Sequence, residues 1–266
     1  MKLTFCPLFS GSSGNCTLVG ADGELILIDA GLSGRQIVAA LQSVGVLPEA
    51  LSGIVVTHEH SDHVKGVGIL SRKYRLPVYA NEPTWNAMAR QVGEIAPFNR
   101  RFFETGEDFY IGSLAIHPFA IPHDAADPVG FRVYYGARSV ATATDMGHLK
   151  KTVLQDLAGT DVLLLESNHD PEMLRNNPHY TAALKARILG NRGHLSNEAC
   201  GRGLCELYGT GVRHFVLGHL SGENNTPELA MKTAVDFAVD AGVVPDREVF
   251  IDMAWRDHVG KRYDIE

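Results

Sequence analysis

The sequence predicts an α/β (α+β) fold in which two mixed β-sheets lie between outer layers of helices. Three observations predict it. Strand-like and helix-like segments alternate in the first and last thirds, whereas the middle reads as a run of short strands. Hydrophobic residues make up 45% of the 266 residues, enough to fill a large core. No low-complexity segment, Pro/Ser-rich linker or short-period repeat divides the chain, so one domain covering 1–266 is expected.

The elements follow in order. Leu3–Phe9, Thr17–Val19 and Leu25–Ile28 are strand-like, and Gly34–Val44 has helical periodicity behind a Ser33 cap. Ile54–Val56 reads as a short buried strand, Val64–Tyr74 as a helix, Pro77–Ala80 as a strand and Thr84–Val92 as a helix. Phe102–Glu104, Asp108–Tyr110, Leu114–Ala120, Gly130–Tyr135 and Ser139–Ala143 form an antiparallel series, with a tight hairpin at Tyr135-Gly136-Ala137-Arg138. Asp161–Leu165 and His214–Leu217 are strands, Thr181–Leu189, Ser196–Tyr208 and Thr226–Val239 are helices, and Val249–Ile251 is a closing strand. The tail Trp255–Glu266 carries mixed charge and receives no role.

No apolar run reaches membrane-spanning length, and the N-terminus lacks the long apolar stretch of a secretory signal, so the cytoplasm is expected and no membrane partner. Cys6, Cys16, Cys200 and Cys205 form no C-x-x-C pair and read as reduced thiols. The formal net charge of −7 disfavours a broad electrostatic grip on nucleic acid. It does not exclude an anionic substrate, because two divalent cations would add four positive charges at one spot. The basic groups Arg72/Lys73/Arg75, Arg100/Arg101 and Lys185/Arg187/Arg192 read first as solvated faces.

The chemistry is concentrated between Thr57 and His63, where the chain reads Thr57-His58-Glu59-His60-Ser61-Asp62-His63. Three imidazoles and a carboxylate in H-x-H-x-D-H suit zinc, manganese or iron rather than calcium. In an extended loop His58 and His60 point the same way and can share one ion; Asp62 and His63 arrive at the next helix and can face a second. Four further positions follow strands: Asp29, His123, Asp145 and His219. A dinuclear centre needs about seven protein ligands, and these supply what the first run lacks. The loop Ser10-Gly11-Ser12-Ser13-Gly14-Asn15 offers hydroxyls and amides to an anion.

In that order, Asp29, His58-x-His60-x-Asp62-His63, His123, Asp145 and His219 resemble the five motifs of the metallo-β-lactamase superfamily. The resemblance covers nearly the whole chain and implies a four-layer αββα sandwich with the metals at one edge. It implies that His58, His60 and His123 hold one ion, that Asp62, His63 and His219 hold the other, and that Asp145 bridges them. Asp29 would orient a ligand histidine.

Within that superfamily, Leu163-Leu164-Leu165-Glu166-Ser167-Asn168 and Gly193-His194-Leu195-Ser196-Asn197 look like paired motifs of tRNase Z-type phosphodiesterases. Carried across, Glu166 orients His194, and His194 protonates the departing oxygen or binds the phosphate. The doubled Gly-His-Leu-Ser, with Glu223-Asn224-Asn225 and the glycine–serine loop, most resembles the YycJ/WalJ-type group, which implies metal-dependent 5′→3′ exonuclease activity on DNA. A metal-bridging hydroxide would be the nucleophile, with Asp62, Glu166 and His194 as catalytic residues. Ser12, Ser13, Asn15, Ser196, Asn197, Ser221 and Asn224 are the expected substrate contacts. Neither the RNA-gripping arm of the long-armed tRNase Z enzymes nor the extra domain of the RNase J-like nucleases has room here. Single-stranded or end-accessible DNA is therefore the expected partner, with RNA behind it; oligomeric state is not readable. Phe9, Trp85, Tyr180 and Trp255 are candidate stacking platforms but read first as packing. Two alternatives stay open: a thioester, lactone or small phosphodiester hydrolase, and a metal-stabilised binding or regulatory protein without turnover.

Overall fold

The computed structural model describes residues 2–266. The first half forms β1 (Leu3–Phe9), β2 (Cys16–Ala21), β3 (Glu24–Ile28), α1 (Gly34–Ser43), β4 (Gly53–Val55), α2 (Ser61–Val64), α3 (Val67–Tyr74), β5 (Val78–Ala80), α4 (Glu82–Val92) and β6 (Arg100–Phe102). The antiparallel run β7 (Phe109–Ile111), β8 (Leu114–Ala120), β9 (Val129–Tyr135) and β10 (Arg138–Ala143) comes next. The remainder is α5 (Lys151–Leu157), β11 (Val162–Glu166), α6 (Pro171–Asn176), α7 (Ala182–Leu189), α8 (Asn197–Tyr208), β12 (His214–Gly218), α9 (Pro227–Asp240), β13 (Phe250–Met253) and β14 (Tyr263–Ile265).

Two seven-stranded mixed sheets result, ordered β14-β1-β2-β3-β4-β5-β6 and β13-β12-β11-β10-β9-β8-β7. Period-2 alternation builds the layers. In β11, Val162 and Leu164 face the opposite sheet, whereas Leu163 and Leu165 face the helices. In β3, Ile26 and Ile28 join the inter-sheet core with Phe5, Phe131 and Val216, while Leu27 packs outward with Ile37, Leu70 and Met88. The second outer layer joins Val153 and Leu157 of α5, Leu204 and Leu207 of α8, and Ala234 of α9. Helices on both outer faces complete the expected αββα sandwich. Truncating a central residue such as Leu164 to Ala should cost about 2–5 kcal/mol. No helix of the described residues is long and apolar enough to cross a membrane.

Three expectations are corrected, and two helices are added. The helix expected over Val64–Tyr74 breaks into α2 and α3, because the Gly66 amide donates to the Ala30 carbonyl at 2.7 Å and leaves the helical ladder. A Cβ on Gly66 would press on that carbonyl, so the loop after β3 and the start of α3 meet only through glycine. The strand expected over Phe102–Glu104 lies at Arg100–Phe102, paired in parallel with β5, and Phe103 turns into the core. Helices α5 and α6 had no sequence signal strong enough to place them. The tail given no role contributes β14, which pairs with β1 through Leu3–Ile265 and Phe5–Tyr263.

Parallel pairing fixes where side chains converge. Strands β3 to β6 run parallel, as do β10 to β13, so their carboxyl ends and the loops after them share one edge.

Candidate metal centre

Strand β4 ends one residue before Val56, and the chain bends at Thr57, which with His58 lies against Asp29 at the end of β3. Asp29 accepts three hydrogen bonds, from the Thr57 amide, the Thr57 hydroxyl and His63 Nδ1, each at 2.8 Å. The bond from Nδ1 leaves His63 Nε2 facing inward. The Thr57 hydroxyl also lies 3.0 Å from His58 Nδ1, which turns His58 Nε2 inward too. Thr57 had no place in the sequence reading, although it opens the histidine run.

Four overlapping groups of potential ligands form; two are the expected triads, and the others join His58, His63 and Asp145, and Asp145, Glu166, His194 and His219. His58 Nε2 lies 3.1 Å from His60 Nδ1, and His123 Nε2 lies 3.2 Å from the same atom. His123 Nδ1 is turned outward by the Gly193 carbonyl at 3.2 Å. Beside this triad, Asp62 Oδ2 stands 3.6 Å from both His63 Nε2 and His219 Nε2. Asp145 lies between the two: Oδ2 is 3.2 Å from His63 Nε2, and Oδ1 is 3.5 Å from His219 Nε2 and 3.7 Å from His123 Nε2.

The donor set suits divalent cations. With bonds of about 2.0–2.1 Å in tetrahedral geometry, ligand atoms around zinc stand roughly 3.3 Å apart, close to the spacings of the first triad. His219 Nε2 and Asp145 Oδ2 are buried without any hydrogen-bond partner, a costly condition that an ion would relieve. Three of the corner residues also carry left-handed backbone: Asp29 at φ 60°, Asp145 at 60° and His219 at 56°. Such conformations cost roughly 1–2 kcal/mol for a residue with a Cβ, so the fold spends stability to aim these side chains.

Glu166, at the end of β11, is fully buried beside both triads. Its Oε1 accepts from His194 Nδ1 and from His219 Nδ1, each at 2.8 Å. Its Oε2 accepts from the Met146 and Leu195 amides at 2.9 and 3.0 Å. Burial alone would raise the Glu166 pKa, but His194 and His219 outweigh it and bring it down to about 2. Burial pulls His194 down, yet the Glu166 carboxylate more than compensates, and His194 ends above its ordinary value. The His194 side chain keeps 20% exposure, so its far nitrogen is open to solvent while the near one is tied. The sequence pairing of Glu166 with His194 thus has a second partner, His219, which no local spacing announced.

The expected substrate contacts divide sharply. Ser12 and Ser13 are exposed at the loop tip. Asn15 is buried: its Oδ1 accepts from the Gly11 amide at 3.0 Å, and its Nδ2 lies 3.3 Å from the Asp62 carbonyl and 3.1 Å from His63 Nε2. Ser196 caps α8 through the Ala199 amide, and Asn197 is buried between Ser167 and Asn225. Ser221 accepts from the Asn224 amide, and Asn224 Oδ1 accepts from Asn177 Nδ2 at 2.7 Å. The structure therefore brings Ser12 and Ser13 to solvent but commits Asn15, Ser196, Asn197, Ser221 and Asn224 to holding loops. Ser10 and Asn168, present in the sequence motifs without this role, hold His219: the Ser10 hydroxyl accepts from its amide, and Asn168 Nδ2 donates to its carbonyl, both at 2.8 Å.

Residues 24–220 match the family model described as the Beta-lactamase superfamily domain. Exodeoxyribonuclease YycJ of Bacillus anthracis is 41% identical over 230 residues, covering 86% of this chain and 87% of the relative. Exodeoxyribonuclease WalJ of Streptococcus pneumoniae is 40% identical over 247 residues, covering 91% of each chain. Zn(2+)-bound PqqB from Methylobacterium extorquens shares the fold, with a TM-score of 0.73 at 18% identity over 98% of this chain and 100% of that one. This chain therefore belongs to the beta-lactamase superfamily, among its metal-dependent hydrolases of the metallo-β-lactamase fold.

Proposed function

We propose that this chain is a two-metal phosphodiester hydrolase, working as a single domain over residues 1–266, that degrades DNA in the 5′→3′ direction from accessible ends. The observation that carries the reading is Glu166 Oε1, shared at 2.8 Å between His194 and His219. A thioester releases a thiolate that needs little protonation; an alkoxide leaving from phosphorus does need it, and a fixed imidazolium beside the centre serves that purpose. Support also comes from two relatives, each at least 40% identical, that are named exodeoxyribonucleases.

His58, His60 and His123 would hold one cation, Asp62, His63 and His219 the other, and Asp145 would touch both, with zinc, manganese or iron suited to such nitrogen and oxygen donors. When bound, the two cations supply the positive field that offsets phosphoryl charge and lets water act as a nucleophile near neutral pH. The residues do the rest. Asp29 and Thr57 fix the tautomers of His63 and His58. Asp62, with 22% side-chain exposure, faces incoming water and accepts its hydrogen bond. Glu166 keeps a proton on His194, which passes to the departing 3′ oxygen. Ser12 and Ser13 stand free at the loop tip to meet the phosphodiester backbone.

The test uses the purified full-length chain with Mn²⁺, Zn²⁺ or Fe²⁺ on DNA labelled at the 5′ or the 3′ end. Release of the 5′ label as mononucleotide, with progressive shortening of the 3′-labelled strand, is expected. Inertness toward DNA and RNA with every metal removes the nuclease reading; cleavage of RNA alone replaces its substrate.

A further inference from the structure

On the His219 side of the centre, the chain leaving β13 walls a cavity of ≈ 390 Å³ together with Ser10, Leu220 and Ser221. The inner wall is the loop that positions His219 itself, since the Ser10 hydroxyl accepts from the His219 amide at 2.8 Å. The outer wall is Trp255, Arg256 and His258. No residue of the proposed chemistry occupies this cavity, and its volume lies within the range of about 300–1,000 Å³ usual for small-molecule pockets.

Its chemistry is specific. The Trp255 and His258 rings are stacked, with centroids 4.8 Å apart and planes 23° from parallel. Arg256 lies between two loops, with Gly222 against its guanidinium and Gly11 against its stem, and a Cβ on Gly222 would overlap the guanidinium. Its Nη2 donates to the Leu220 carbonyl at 3.1 Å. No ion pair among the described residues engages it. Asp257, which also lines the cavity, is engaged by His258 Nδ1 at 2.7 Å. A held guanidinium outside any ion pair, beside an aromatic stack and adjoining a candidate metal ligand, matches a nucleotide: phosphate on the guanidinium, base on the rings.

We infer that this cavity is the subsite for the nucleotide next to the scissile phosphate of a single strand, with its base extending the Trp255–His258 stack and its phosphate on Arg256. The inference rests on the nuclease reading for the identity of the strand. It also gives the tail beyond β13 a function.

The test is fluorescence anisotropy with the full-length metal-loaded protein and a 3′-fluorescein oligothymidylate made uncleavable by phosphorothioate linkages. A matched strand of abasic residues serves as the second probe. Trp255→Leu and His258→Ala should each weaken binding of the thymidylate, Trp255→Leu by on the order of tenfold, and leave the abasic strand within twofold. Arg256→Ala should weaken both strands and flatten the dependence of log affinity on log salt by about one unit. The abasic strand controls for misfolding, because a variant that merely fails to fold loses both probes. Equal losses on both strands in Trp255→Leu and His258→Ala proteins that melt like the parent, or no loss on either strand, overturn the subsite. Cleavage of ordinary DNA by the parent protein is scored separately. Cleavage without base-dependent losses sinks the subsite alone, and base-dependent losses without cleavage sink the nuclease reading alone.

Discussion

Glu166 Oε1 lies 2.8 Å from Nδ1 of His194 and 2.8 Å from Nδ1 of His219. One buried carboxylate oxygen thus serves two imidazoles with different duties, a candidate proton donor and a candidate metal ligand. Its other oxygen is fixed by the Met146 and Leu195 amides, so the group cannot turn to favour either histidine. On the proposed reading, proton delivery and metal geometry would be coupled at this atom.

Glu166→Gln should break both functions together. Whichever way the amide is placed, its NH₂ faces donors: the two backbone amides or the two imidazole N–H groups. We expect kcat on oligonucleotides to fall on the order of 10²–10³-fold and metal affinity to fall about 10–100-fold. Steady-state kinetics and chelator competition read the two losses. Loss of activity with metal affinity intact would separate the roles and remove the coupling.

His194→Ala should uncouple them. Its imidazole contributes no atom to either proposed triad, so two ions per chain should remain by metal analysis. Turnover of DNA, whose leaving group is an alkoxide, should drop roughly 10²–10⁴-fold. Hydrolysis of bis-p-nitrophenyl phosphate, whose phenolate leaves unaided, should drop less than about tenfold. Equal losses on both substrates would deny His194 the role of acid.

The candidate metal-binding cluster was legible because its chemistry is written locally: a dense histidine run, then single His or Asp residues at the ends of apolar strands. Strand order placed them at one edge, as the family resemblance implied. What stayed illegible depends on distance in sequence. Glu166 reaches His219 across 53 residues, and no pattern around either residue encodes that bond. Short elements failed for the same reason: β14 is three residues whose partner is the opposite end of the chain. The polar candidates depend on distance in another way. Asn197 and Asn224 look like ligand contacts in a sequence, but a buried loop needs partners for its own amides, and these side chains supply them.

Asp29 offers a graded test. Asn tolerates the left-handed φ of 60° that position 29 requires, whereas Ala does not. Asn presents an NH₂ where the Thr57 hydroxyl and His63 donate, and Ala presents nothing. Both variants should lose about 10–100-fold in affinity for the ion at His63. In the metal-free state Asp29→Ala should melt below Asp29→Asn, by an amount equivalent to about 1–2 kcal/mol. Calorimetry of the chelator-treated variants reads the difference. Equal melting temperatures would mean that the backbone at Asp29 is unstrained.

Removing the metals should make stability strongly pH-dependent. Burial would lower the His219 pKa, but Asp145, Asp62 and Glu166 outweigh it and raise it from 6.5 to about 10 in the metal-free chain. His63 is raised in the same way, with Asp145, Asp29 and Asp62 overcoming its burial. Because the folded pKa exceeds the unfolded one, this stabilisation is complete below pH 6.5 and disappears as pH climbs through about 10. Glu166 has the opposite sign: depressed from 4.5 to about 2, it stabilises above pH 4.5 and is lost as pH falls toward 2. Burial lowers His58, His123 and His169, the last to about 4, so these groups favour the unfolded chain as pH falls below 6.5. The chelator-treated protein should therefore melt highest near pH 6.5, losing stability on the acid side and again steadily from pH 7 to 10. Metal uptake at pH 7.5 must displace the protons on His219 and His63. Calorimetric titrations in buffers of different ionisation enthalpy should accordingly detect one to two protons released. A metal-free melting temperature that rises from pH 7 to 10, or metal uptake with no proton release, would show that these histidines are neutral before the ions arrive.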